Sequence, residues 1–142
     1  MATQEQKYDG FTADERAAMK DRAKEIKSRG KKVDTEAELL AKIAEFTEGD
    51  KADAERVHAL VKENAPHLQP KLWYGMPAYY RDGKLVCHFS PAAKFKTRYS
   101  TFNFSDNAAI DDGDCWPIGF ALGNLTPAVE AKLAELIKQA AS

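Results

Sequence analysis

Apolar residues recur at helical spacing in the first half of the chain and alternate in the second, with the change of period near Pro70. Thr12-Ala13-Asp14-Glu15 reads as a capping box, in which hydroxyl and carboxylate each take a backbone N–H, and predicts a helix to about Arg29 stopped by Gly30. Its apolar stripe is thin (Phe11, Met19 and Ile26, with alanines between), too thin to anchor it by burial alone. Residues 1–10 are polar and expected to fray. A second capping box, Thr35-Glu36-Ala37-Glu38, opens a short helix whose expected buried face is Leu39, Leu40, Ile43, Ala44 and Phe46, ended by Gly49. Asp50 is expected to cap a third helix, apolar at Ala54, Val57, Leu60 and Val61 and terminated by Pro66.

Beyond Pro70 the signals are those of strands. Lys71–Tyr74 and Ala78–Tyr80 are short aromatic runs separated by Gly75-Met76-Pro77, and Arg81-Asp82-Gly83-Lys84 is a tight hairpin turn. Leu85–Phe89 alternates. Phe95–Phe104 reads as one further strand whose parity changes, so a bulge is expected near Ser100-Thr101. Ser105–Asp114 is an acidic loop, and Pro117–Leu122 a last strand placed at a sheet edge by its proline. Thr126-Pro127 opens a final helix with the cleanest stripe in the chain, Val129, Leu133, Leu136, Ile137 and Ala140. The order predicts an α+β domain at residues 33–142, an antiparallel sheet with helices on one face and a C-terminal helix, preceded by a helical arm at 1–32.

Length and composition fit this. The 142 residues make one domain, 44% hydrophobic and 30% charged, with net charge −1, a balance that argues against a dedicated nucleic-acid binder. No apolar run is long enough to cross a bilayer, the N-terminus lacks the apolar core of a secretory signal, and Cys87 and Cys115 form no CxxC pair. A cytoplasmic protein with free thiols is the expectation. Charge is laid out in blocks: +3 over residues 1–32, −5 over 33–65, +5 over 66–100 and −4 over 101–142. Such blocks face each other, the solvent or a partner.

Trp73-Tyr74-Gly75-Met76-Pro77-Ala78-Tyr79, Gly83-Lys84, Ala93-Lys94-Phe95-Lys96 and Tyr99-Ser100-Thr101-Phe102 form a motif set, completed by Cys115-Trp116-Pro117-Ile118-Gly119-Phe120 before the last helix. On these residues the chain resembles the YdhG-like family of small bacterial proteins over roughly residues 50–142. The resemblance implies a frataxin-like fold, and with it ferrous iron binding by carboxylates. Asp50 and Asp53 on the third helix and Asp112 and Asp114 in the acidic loop are the residues here that offer them.

No P-loop, Gly-x-Ser-x-Gly, dinucleotide fingerprint or HExxH occurs, so no residue is assigned a catalytic role. Neighbouring Cys87 and His88 point to opposite faces of a strand and cannot share one ion; His58 and His67 read as solvated. Asp111-Asp112-Gly113-Asp114 offers hard oxygen ligands but lacks the spacing of a calcium loop, and reads more plainly as an acidic turn. Lys94, Lys96 and Arg98 alternate and so share a face of the expected strand, making the best patch for an anion, with Arg81 and Lys84 nearby; the plainer alternative is a solvated sheet face. Tyr74, Tyr79, Lys94 and Trp116 are expected to line a small aromatic pocket. Three functions follow: a non-enzymatic binding module for Fe²⁺; a module for an anionic small molecule or nucleic acid on the Lys94/Lys96/Arg98 face; and a structural protein whose arm makes a homodimer.

Overall fold

The computed structural model describes residues 12–27 and 34–142. Phe11, the stop expected at Arg29-Gly30 and the polar residues 1–10 lie outside the described residues. Three helices, α1 (Ala13–Lys27), α2 (Thr35–Ala44) and α3 (Glu48–Asn64), precede the strands β1 (Gln69–Trp73), β2 (Met76–Arg81) and β3 (Lys84–Ser90). A one-turn helix α4 (Ala92–Phe95), β4 (Ser100–Phe104), β5 (Gly119–Leu122) and helix α5 (Pro127–Ala140) complete the chain. The strands form one antiparallel sheet in sequence order, β1-β2-β3-β4-β5, so the chain is an α+β fold with β5 at an edge. No helix among the described residues is long and apolar enough to cross a membrane.

Directly opposed residues share a sheet face. The Tyr79–Cys87–Phe104 and Phe89–Phe102–Phe120 rows therefore lie together, and they join Leu39 and Ile43 of α2, Val57 and Val61 of α3 and Leu133 and Ile137 of α5 in one core. Arg56 of α3 forks onto Glu130 of α5, with Nε–Oε2 at 2.9 Å. The other face carries the row Lys71–Ala78–His88–Asn103–Gly119. The ring of Trp73 meets that of His88 there, centroids 5.0 Å apart.

Both hairpins close with the same turn. Tyr74-Gly75 (φ 53° and 74°) joins β1 to β2, and Asp82-Gly83 (φ 50° and 80°) joins β2 to β3. Positive φ at both central residues matches the twist of the strands they connect. Met76 and Pro77, expected in the first turn, belong to β2.

Several sequence expectations are corrected. α2 is capped by Asp34, whose carboxylate accepts from Ala37 N at 3.0 Å, one residue before the expected Thr35. Leu40 and Ala44 of that helix are exposed, because Leu39 and Ile43 alone face the core. α3 begins at Glu48 behind Thr47, so Gly49 lies inside it rather than ending α2, and Asp50 sits in its first turn. The expected strand Phe95–Phe104 starts only at Ser100, since its first part is α4 and a loop. The bulge lies instead between β2 and β3: Tyr79 opposes Cys87 while Tyr80 opposes Leu85, leaving Val86 as the extra, buried residue.

The reason for α4 is tertiary. The Asp50 carboxylate accepts from Ala93 N (2.9 Å) and Ser100 Oγ (3.1 Å), and Ser100 Oγ accepts from Ala92 N (3.0 Å). Two first-turn amides of α4 are thus satisfied by groups brought from α3 and β4. Lys96, in the left-handed region at φ 55°, closes the turn.

Candidate functional site

The arm helix α1 docks on the β1–β2 turn and on α4, and it does so through an acidic face. The Thr12–Glu15 capping box opens it, with Glu15 N donating to Thr12 Oγ1 at 3.0 Å. Asp14, Ala18, Asp21 and Glu25 then follow at spacings of four, three and four residues, which align them along one side of a helix. Each meets the domain or is buried against it. Asp14 pairs with Lys96 (3.4 Å), Ala18 is buried, and Asp21 pairs with Lys94 (2.6 Å) and more loosely with Lys42 of α2 (3.8 Å). Met19 and Ile26, the apolar residues that sequence offered as anchors, are about half exposed.

Glu25 makes the most specific contact. Its side chain is only 9% exposed, and its two oxygens accept from consecutive backbone amides, Oε1 from Tyr74 N (3.0 Å) and Oε2 from Gly75 N (2.9 Å). In a two-residue hairpin these amides point away from the ladder, so they form a small cationic concavity that takes a planar two-oxygen anion. Gly75 is favoured twice over. Its φ is positive, and a Cβ there would overlap Lys94 Nζ and the Asp21 carboxylate. Tyr74, a non-glycine residue at positive φ, is held between the Trp73 ring edge (5.0 Å) and the Arg22 guanidinium (5.8 Å). A hollow of about 140 Å³ remains between α1, α2 and β1, lined by Asp21, Lys24, Glu25, Glu38, Lys42 and Leu72.

The residues expected to form one site are divided. Tyr74 and Lys94 come together here, with Lys96 further along the same arm. Lys94, Lys96 and Arg98 share no strand face, since Lys94 is on α4, Lys96 caps it and Arg98 lies in the loop before β4, its guanidinium 4.9 Å over the Tyr99 ring. Arg81 is bound to the carbonyls of Asn107 (3.1 Å) and Ser142. Trp116 belongs to a separate hollow of about 390 Å³ with Asp111, Asp112, Phe120 and Lys132.

Tyr79 lies in the core rather than on a pocket wall, completely buried, its hydroxyl 2.9 Å from His58 Nδ1. His58 Nε2 is 2.9 Å from Glu36, which also receives Lys62. The Lys62 hydrogen bond, assisted by His58, holds the Glu36 carboxyl below its ordinary range. This carboxylate–imidazole–phenol chain was not legible in the sequence, which gave His58 to the solvent. Burial pushes up both the Tyr79 hydroxyl and the neighbouring Cys87 thiol, and neither is presented to a substrate. The chain is a core strut.

The four carboxylates expected to bind iron also separate. Asp50 and Asp53 line a hollow of about 550 Å³ with Arg98 and Tyr99, Asp112 lines the Trp116 hollow, and Asp114 is an exposed loop residue. Burial, with the charge of Asp50, raises the Asp53 carboxyl. Among the described residues no three His, Cys, Asp or Glu side chains converge as a metal site. No family model, curated protein or solved structure matches the chain.

Proposed function

We propose that this protein is a non-enzymatic binding module for an anionic small molecule, with the β1–β2 turn and Lys94 as its site. One observation carries the reading: the Glu25 carboxylate spans the amides of Tyr74 and Gly75 while Lys94 holds a second carboxylate beside it. An anion from solution, carboxylate or phosphate, meets the same two N–H donors and the same ammonium once those side chains are withdrawn or replaced. Lys94 is pre-positioned, because Asp50 and Ser100 fix the turn that carries it. Such charge-assisted contacts contribute about 1.5–3 kcal/mol each where solvent is excluded.

The test uses the full-length Asp21→Asn/Glu25→Gln chain, titrated with glutarate and, separately, with inorganic phosphate. Amide resonances of Tyr74 and Gly75 are expected to shift, and the apparent affinity to weaken with salt. Unmoved Tyr74 and Gly75 resonances at millimolar concentrations of both anions would refute the reading.

A second reading, iron binding of the kind implied by the YdhG-like resemblance, rests on Asp50 and Asp53, two neighbouring carboxylates whose repulsion a divalent cation would relieve. Anaerobic Fe²⁺ titration is then expected to broaden resonances at Asp53 and its neighbours; an unchanged spectrum removes it.

A further inference from the structure

We propose that the groove occupied by α1 is a docking site for an acidic helix, and that the arm is its exchangeable occupant in cis. The inference rests on the anion site above and names the partner: a helical segment presenting Asp-x-x-x-Ala-x-x-Asp-x-x-x-Glu along one face. Each position of that face has a counterpart in the domain. Glu25 meets the turn amides, Asp21 meets Lys94 and Lys42, and Asp14 meets Lys96. The small residue is needed where the helix comes closest, at buried Ala18.

Charge complementarity argues for a helix rather than a lone ion. The receiving groups, lysines of α2 and at α4 and the amides of the β1–β2 turn, are spread over three elements, so a single carboxylate reaches only one part of the groove. Weak apolar anchoring argues for exchange. Among the described side chains of α1 only Ala18 is buried, so apolar burial gives the tethered helix little advantage over an equivalent one arriving from outside. The tether gives the arm its advantage, since a covalently linked segment competes at an effective concentration in the millimolar range.

The experiment uses full-length chains and a synthetic peptide of residues 12–27. In the Asp21→Lys/Glu25→Lys chain the arm carries the wrong charge for its groove, and the peptide restores the missing carboxylates in trans. The peptide is expected to shift the Tyr74 and Gly75 amides of this variant, on the order of a hundredfold more tightly than those of the wild-type chain. A peptide with Asp21→Asn and Glu25→Gln should shift neither. Wild-type mass that rises with concentration, and does not in the charge-reversed chain, would also support the proposal, with a second copy as the donor. If the peptide leaves the charge-reversed chain unmoved while glutarate still shifts Tyr74 and Gly75, the helix-docking proposal is overturned and the anion site stands. If neither ligand moves those amides, both are overturned.

Discussion

Two glycines in matched turns allow the arm's attachment to be measured separately from the fold. Gly75 and Gly83 occupy the same position of the same kind of turn, at φ 74° and 80°. Alanine at either position must enter the left-handed region, at a cost of about 1–2 kcal/mol. At Gly83 the added methyl meets nothing within 4 Å, so Gly83→Ala reports that backbone term alone. At Gly75 it meets Lys94 Nζ and the Asp21 carboxylate, both ends of flexible side chains that can swing aside without moving the sheet. The ion pair they form then opens. Partly exposed pairs contribute roughly 0.2–1 kcal/mol. Glu25, whose two amide bonds sit on the substituted turn, stands to lose about 2–4 kcal/mol more after allowance for solvent. With Ala18 its one buried described side chain, α1 has no apolar reserve to offset that loss. Gly83→Ala is therefore expected to lower the urea-unfolding free energy by that cost of about 1–2 kcal/mol alone, and Gly75→Ala by more, because docking of the arm adds to the stability of the folded state. Amide-exchange protection along Ala13–Lys27 should survive in Gly83→Ala and disappear in Gly75→Ala. Equal arm protection in the two variants would show that the arm is held elsewhere, and the site argument would fail with it.

Three further outcomes follow from groups in and around the sheet. Burial lowers the His88 pKa to about 4, so the folded state stays neutral while the unfolded chain takes its proton near the ordinary value of 6.5. The unfolded state then binds more protons, and stability, full above about pH 6.5, should fall by about 3 kcal/mol as the pH drops to about 4. His88→Gln should flatten that slope in urea midpoints taken across the window; an equally steep slope in the variant would assign it elsewhere. Tyr79→Phe leaves His58 Nδ1 without its partner in a buried site and is expected to lose about 1–3 kcal/mol, with unaltered unfolding counting against the strut. Cys115 is exposed and Cys87 wholly buried with its thiol pushed up, so a thiol reagent should modify one cysteine in the native protein and two in urea.

What could be read from the sequence was local. Asp82-Gly83 fixes a hairpin because that dipeptide supplies its own dihedral angles, Thr12 and Thr126 cap helices with atoms three residues away, and the stripe of α5 needs no help to be seen. What could not be read depends on distant partners. Lys94-Phe95-Lys96-Thr97-Arg98-Tyr99 alternates like a strand, yet Asp50, far back in the chain, takes the Ala93 amide and Ser100 the Ala92 amide, and the start of the segment turns into a helix. That turn takes Lys94 off the expected strand face and brings it against Asp21 of the arm. Tyr74-Gly75 was harder to recognise than Asp82-Gly83 because tyrosine is an unusual occupant of positive φ, supported here by contacts from Trp73 and Arg22. Block charges do not reveal this contact, since residues 1–32 carry a net +3 and 66–100 a net +5. The attraction lies in the stripe Asp14, Asp21 and Glu25, one face of the helix, which an average over the segment erases.

That stripe also explains why α1 carries so thin an apolar face. A helix is normally fixed to a domain by the residues it removes from water, and a thin hydrophobic stripe then means weak docking. Here the docked face is the charged one, and Met19 and Ile26 stay about half exposed. The energetic consequences differ. Apolar burial depends little on ionic strength, whereas contacts between partly exposed charges weaken once the screening length, about 8 Å at physiological salt, becomes comparable with their reach. An apolar arm competes only with other apolar surfaces; an acidic arm on backbone amides and lysines competes with every suitable anion. The chain thus carries a domain whose fold depends on its core and an arm held through its charged face, with Glu25 on the Tyr74–Gly75 turn as the joint between them.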